Sequence, residues 1–293
     1  MTTQAQVPLL SDPAWSLDRD LRRAAADLGE REVRFLVQRY YAMQDDRKRT
    51  AQQRDAAADA EEPNLIMRRL FNDNSRMEKN IRYALTRWGQ DDPRCQWANT
   101  IPGIGPVLAA GLVAHTHMEH CPTVGHLWAF AGLDPTKVWG KGQKRPFNAN
   151  LKVLCWKIGE SFVKVKNKDN DIYGHIYADR RAWEGERNVQ GAYAEQAAAM
   201  VVKVPKHAQV ETYKKGLLPD SHLHSRAKRY ATKLFLAHWH HVCHVIEFGT
   251  PPPFPYILTH SPLGEHVHYL APPNWPMVNA APGYPVQGDN QSK

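Results

Sequence analysis

Two glycines one residue apart, Gly103 and Gly105, stand in Ile101-Pro102-Gly103-Ile104-Gly105-Pro106, ahead of the small-residue run Val107 to Ala114. Glycine reaches positive φ and lets a second backbone or a ligand come close. Pro106 suits the first position of a helix, where its missing N–H costs nothing, and the amides of that first turn point at whatever lies in front of them. The chemistry on offer is anion binding, with the backbone of Gly103, Ile104 and Gly105 shaping a cradle for phosphate. The same string also fits a tight helix-helix turn with Ile101 and Ile104 buried.

Charge bears on that choice. The chain carries a formal +8, and between Lys137 and Lys168 nine basic residues face a single acid, Glu160. From Lys203 to Lys233 eight more stand against Glu211 and Asp220. Concentrated positive charge suits a polyanion, because each neutralised phosphate releases condensed counterions. A solvated basic face without a partner has the same composition. Lys137, Lys141, Lys144, Arg145 and Lys152 are the candidate phosphate contacts, with Asn148 orienting their loop. Trp139 and Phe147, flanked by these cations, could stack on exposed bases. Trp128, Phe130 and Trp156 are expected in the core behind the turn.

Other chemistry is weaker. The string Ala237-His238-Trp239-His240-His241-Val242-Cys243-His244 puts His240 and His244 on one helix face at the four-residue step of paired metal ligands. It has no HExxH glutamate, so structural histidines are the expectation. Asp169, Asp171, Asp179 and Glu184 fit no dedicated magnesium spacing, and Asp179 with Arg180 and Arg181 reads as surface pairing. Cys95, Cys121, Cys155 and Cys243 form no CxxC pair and read as buried thiols. No metal site and no cofactor is implied.

The elements that must position these residues are helical. Apolar residues from Leu21 to Met43 recur at three- and four-residue steps, with a break near Gly29. After Glu61-Glu62-Pro63-Asn64, a second stripe runs through Leu65, Met67, Leu70, Met77, Ile81 and Leu85. Together they predict a helical hairpin, suited to packing or to pairing two copies of the chain. Further helices are expected over 151–164 and 223–248, and the proline-rich stretch after Gly249 reads as an extended tail. The division expected is 1–94 helical hairpin, 95–190 helix-hairpin-helix domain, 191–248 basic helical region and 249–293 tail. No run of roughly 18 apolar residues and no signal-peptide layout is present, which predicts a cytoplasmic chain.

Three ordered blocks then carry a resemblance. They are Pro102-Gly103-Ile104-Gly105-Pro106, then Leu127, Phe130, Ala131, Gly132, Leu133 and Pro135, then Asn148, Leu151 and Lys152. In order and spacing, over roughly residues 95 to 165, this resembles the C-terminal domain of transposases of the IS110/IS116/IS902 type. The resemblance implies DNA recombination during transposition of a mobile element, by a metal-binding acidic domain and a serine nucleophile. Neither is found: charged helices open the chain, and Trp139 falls where the serine would stand, leaving Thr136 as the hydroxyl of that interval. The reading is thus a mainly α protein that binds DNA or structured RNA through phosphates without strand transfer of its own. One alternative is a recombinase using Thr136 or a partner's catalytic domain; another is a helical scaffold that binds an acidic protein.

Overall fold

The computed structural model describes residues 19–255 and 270–275. Every regular element among them is helical, in agreement with the mainly α expectation. The chain divides into two compact units between residues 92 and 93.

The first unit holds α1 (Arg19–Ala24), α2 (Glu30–Asp59) and α3 (Leu65–Trp88), with Gly29 as the N-cap of α2. Pairing runs antiparallel: Arg47 Nε lies 2.6 Å from Glu78 Oε2, and further along α2 the Arg54 guanidinium sits 4.5 Å over the Phe71 ring. Val33, Val37 and Met43 of α2 are buried, as is Leu85 of α3. At the other end, Leu65 and Leu70 do not join the buried stripe that their spacing predicts; they are exposed, as is Ile66. The reason lies opposite them, where α2 beyond Arg54 ends in Asp55-Ala56-Ala57-Ala58-Asp59 and Ala57 is its one buried residue past Met43.

The second unit contains α4 (Pro93–Asn99), α5 (Pro106–His115), a 3-10 turn (Met118–His120), α6 (Val124–Phe130), α7 (Ala149–Val165), α8 (Tyr173–Val189), α9 (Ala194–Lys203), α10 (Val210–Lys214) and α11 (Asp220–Phe248). Val107 through His115 are all buried, so α5 is apolar on every side and lies inside the unit. Around it an aromatic core joins four helices: Trp97 stacks on Phe235 at 6.0 Å, Phe162 on Tyr173 at 4.8 Å, and both Phe162 and Tyr173 meet Phe235 edge-on. The Trp239 indole N–H donates to the Thr116 hydroxyl at 3.0 Å, so this wholly buried tryptophan keeps its polar atom satisfied. Tyr193, Ala197, Tyr213, Leu218 and Leu223 make a smaller cluster under α9 and α10.

Two polar devices complete the unit. Glu184, 1% exposed, accepts from the Tyr193 hydroxyl and pairs with Arg180 at 2.8 Å and Arg226 at 2.7 Å. Burial alone would raise its carboxyl, but Tyr193, Arg226 and Arg180 hold it below the usual carboxylate range. Near the C-terminus, a short stretch is docked by main-chain carbonyls: Trp97 Nε1 donates to Pro273 O at 2.8 Å, and His238 Nε2 lies 2.8 Å from Leu270 O. Residues 256–269 and 276–293, where the rest of the expected tail falls, lie outside the described residues.

Candidate nucleic-acid interface

The glycine turn joins α4 to α5, and its two glycines do different work. Gly103 adopts φ +91°, and the Ser161 hydroxyl of α7 donates to its carbonyl. A methyl group there would sit 3.2 Å from Ser161 Oγ and 3.3 Å from Val165 Cγ2, so the residue is needed both for its dihedral and for close helix packing. Gly105 is extended, with φ −114° and ψ 176°, and a methyl added to it meets nothing within 4 Å. The positive φ that the sequence makes available at both positions is therefore used at Gly103 alone. Ile104 is buried, and its amide donates back to Ile101 O at 2.9 Å, which closes the turn. Pro106 follows at the start of α5, and the first bond within that helix runs from Ala109 N to Gly105 O. The helix itself thus gives the amides of Val107 and Leu108 no acceptor.

This geometry makes Gly105→Ala a clean substitution. It should leave the melting temperature within a degree or two of the parent, since extended backbone suits alanine and the space is open. If a phosphate approaches the turn closely, the same change should weaken DNA binding severalfold in a titration at fixed salt.

The basic loop between α6 and α7 begins at a second left-handed glycine, Gly132 at φ +67°. Phe147 packs against it so closely that a methyl group would lie 2.9 Å from the ring. Lys137, Lys141, Lys144 and Arg145 are all exposed, and none forms an ion pair among the described residues. Asn148 clasps the loop's end: its amide donates to Phe130 O at 2.9 Å, while its side-chain oxygen accepts from Asn150 N and Leu151 N and caps α7. Lys152, one turn into α7, holds its ammonium 4.3 Å over Phe147 and 6.0 Å over Trp139. The Trp139 and Phe147 rings meet edge to face at 5.1 Å.

The two patches are not one cluster. Gly103, Ile104 and Gly105 belong to a turn that packs on the last turns of α7, around Ser161 and Val165, whereas Asn148 and the loop cations sit at its start. From Ala149 to Ser161 a helix rises about 18 Å, at 1.5 Å per residue. Along the same helix the expected core position of Trp156 is overturned: it is 53% exposed, and Phe130 of α6 is 39% exposed. Leu151, Leu154, Cys155, Ile158 and Phe162 form the buried stripe of α7, and Trp156 lies off it. Lysines lie over the exposed Trp156 and the half-buried Trp128, with Lys228 Nζ 5.2 Å from the first ring and Lys233 Nζ 4.1 Å from the second. Helical spacing alone, counted from Leu151, would have found Trp156 on the outer face.

Thr136 is exposed and points its hydroxyl at Asp134 Oδ1, 2.8 Å away, while its amide donates to the same oxygen at 2.9 Å. The amide first and then the hydroxyl hold the Asp134 carboxyl below its ordinary range. An acid held low is a poor acceptor for the hydroxyl proton. Two of the histidines lie against main-chain carbonyls: His240 Nε2 is 2.7 Å from Cys121 O and His244 Nδ1 2.7 Å from Thr250 O. No group of three or more metal-ligating side chains occurs among the described residues. The acids read as surface pairs are arranged otherwise, since Arg180 bonds buried Glu184 and Arg181 bonds Asp220. All four cysteines are buried and free.

A buried helix thus carries a glycine turn on one side of an all-helical unit, and a clasped basic loop stands at the far end of α7. The segment that holds both has a recognisable relation: residues 95–145, from α4 into the basic loop, match the Transposase IS116/IS110/IS902 family. The Asn148-to-Lys152 step lies just beyond the matched range. No curated protein and no solved structure matches the chain. No helix among the described residues is long and apolar enough to cross a membrane.

Proposed function

We propose that this chain is a transposase-related nucleic-acid-binding protein that grips DNA or structured RNA by its phosphates. The observation that carries the reading is the exposed set of Lys137, Lys141, Lys144 and Arg145, none of which forms an ion pair among the described residues, held on a loop that Asn148 clasps rather than on a free tail. Lys152 extends that set onto α7, and the α4-turn-α5 element serves as a helix-hairpin-helix whose backbone faces a second phosphate. Ile104 anchors the turn; Gly103 sets its shape, and Gly105 leaves room for the ligand. Contacts of this kind position a protein on nucleic acid without reading bases, so binding is tolerant of sequence. Strand transfer is not assigned to this chain, because Trp139 stands in the serine's place and the Thr136 hydroxyl faces an acid too weakly basic to activate it. The N-terminal hairpin, with Leu65, Ile66 and Leu70 exposed, is the surface proposed for pairing two copies.

Affinity for duplex DNA measured across a range of salt tests the reading. Replacing Lys141, Lys144 and Arg145 together by glutamine should flatten the plot of log affinity against log salt by roughly two to three units, at about 0.9 per phosphate contact. An unchanged slope would remove the basic loop from the interface. Salt-sensitive capture of an acidic protein, with no affinity for nucleic acid, would favour the scaffold alternative.

A further inference from the structure

The tip of the basic loop holds something that phosphate binding does not require. Val138 is 89% exposed and Trp139 44% exposed, side by side between Lys137 and Lys141. Apolar side chains of this size at a loop tip gain nothing from water, and most loops carry polar residues there. Nor is Trp139 a loose ornament. Its ring is set edge to face against Phe147 at 5.1 Å, and Phe147 is pinned from below by the Gly132 turn and from one side by the Lys152 ammonium at 4.3 Å. Asn148, the next residue, is fixed by the hydrogen bond from its amide to Phe130 O and by its capping of α7. An indole held by a pinned neighbour, still open to solvent, 6.0 Å from the Lys152 ammonium and flanked in sequence by Lys137 and Lys141, has the make-up of a stacking platform beside a phosphate track.

From this geometry we infer that Trp139 stacks on an unpaired nucleobase while Lys137, Lys141 and Lys152 hold the flanking phosphates. The ligand class is single-stranded DNA or RNA, or an unpaired nucleotide within a duplex. The inference rests on the phosphate-binding reading and narrows it. Duplex bases present their π-faces only to one another, so an exposed indole has nothing to stack on in a closed helix; an unpaired base offers a free face whatever its identity. The contact is uncharged, so it adds affinity without adding to the salt dependence.

The test uses the full chain with four probes of equal length: a thymidine oligomer, a uridine oligomer, an abasic deoxyribose-phosphate oligomer and a DNA duplex. The parent should bind both single strands more tightly than the abasic strand. Trp139→Ala should weaken single-strand binding roughly five- to hundredfold, with the salt slope unchanged and the abasic and duplex affinities unmoved. Trp139→Phe, which keeps a π-face, should recover most of the loss, and an unaltered melting temperature for both variants would show that the loop still folds. A response in one single-strand arm alone would still support stacking and show that the base methyl or the 2′-hydroxyl tunes it. Equal binding to the base-bearing and abasic strands, or single-strand affinity indifferent to Trp139→Ala, would overturn the platform while leaving phosphate binding in place. Absence of binding to any probe would overturn the platform and the DNA-binding reading at once.

Discussion

Acidifying the protein from pH 7.5 to pH 5 should lower its unfolding free energy by about 2 kcal/mol through His238 alone. This imidazole is 4% exposed, and burial pulls its pKa from 6.5 down to about 4. It is therefore neutral in the fold, with the Tyr173 hydroxyl 2.7 Å from Nδ1 and Leu270 O 2.8 Å from Nε2, so Nδ1 accepts and Nε2 donates. Between those two pKa values the unfolded chain binds a proton that the folded chain refuses. The stabilisation is then complete above pH 6.5 and is lost as the pH falls toward 4. His241 is shifted in the same direction, by burial and then by His240 and His244, and should add a smaller share because it is partly exposed. Urea unfolding midpoints across this range are the measurement. In His238→Gln the decline should be shallower by about the same 2 kcal/mol; an equally steep decline would assign the acid sensitivity elsewhere.

Gly174→Ala should cost on the order of 3 kcal/mol, at the upper end of what a single added methyl does in a packed interior. The added Cβ would lie 2.0 Å from Asp171 Oδ2, 2.6 Å from Lys166 Cα and 2.8 Å from Phe162 O. The first could rotate aside. The other two are main-chain atoms at the end of α7, and they cannot give way without shifting the helix that carries Phe162, a wholly buried ring of the aromatic core. Gly185 in the same helix is the control: a methyl there first meets Arg181 at 3.8 Å, an ordinary contact. Gly185→Ala should be neutral or stabilise by up to about 1 kcal/mol from helix propensity. The melting temperature should therefore fall for Gly174→Ala and hold or rise for Gly185→Ala; a similar small change in both would show that α7 and α8 do not pack this closely.

Much of the helical layout was legible because punctuation and period agree. Pro93 and Pro106 open α4 and α5, Asn148 caps α7, and Gly249 in the left-handed region closes α11. What spacing alone does not give is the neighbour. The exposed start of α3 looks like core by period, and only the charged and alanine-rich stretch of α2 opposite it explains why Leu65 and Leu70 stay outside. Glu184 shows the converse. Between arginines in sequence it reads as a solvated acid, yet Tyr193 from the start of α9 and Arg226 from α11 let it be buried. The two glycines of the turn are likewise indistinguishable as letters; the close approach of Ser161 separates them.

The placement of turn and loop at opposite ends of α7 also bears on how long a ligand stays. If the turn and the loop each hold a phosphate, as proposed, α7 is a rigid spacer of about 18 Å between them and the pair would act as a bidentate holder. Once one end is engaged, the other meets its phosphate at a high effective concentration, and release requires both ends to let go together. Oligonucleotides too short to span the helix would gain none of this avidity, so residence time should rise in a step, rather than smoothly, as the extended length of the probe passes that of α7.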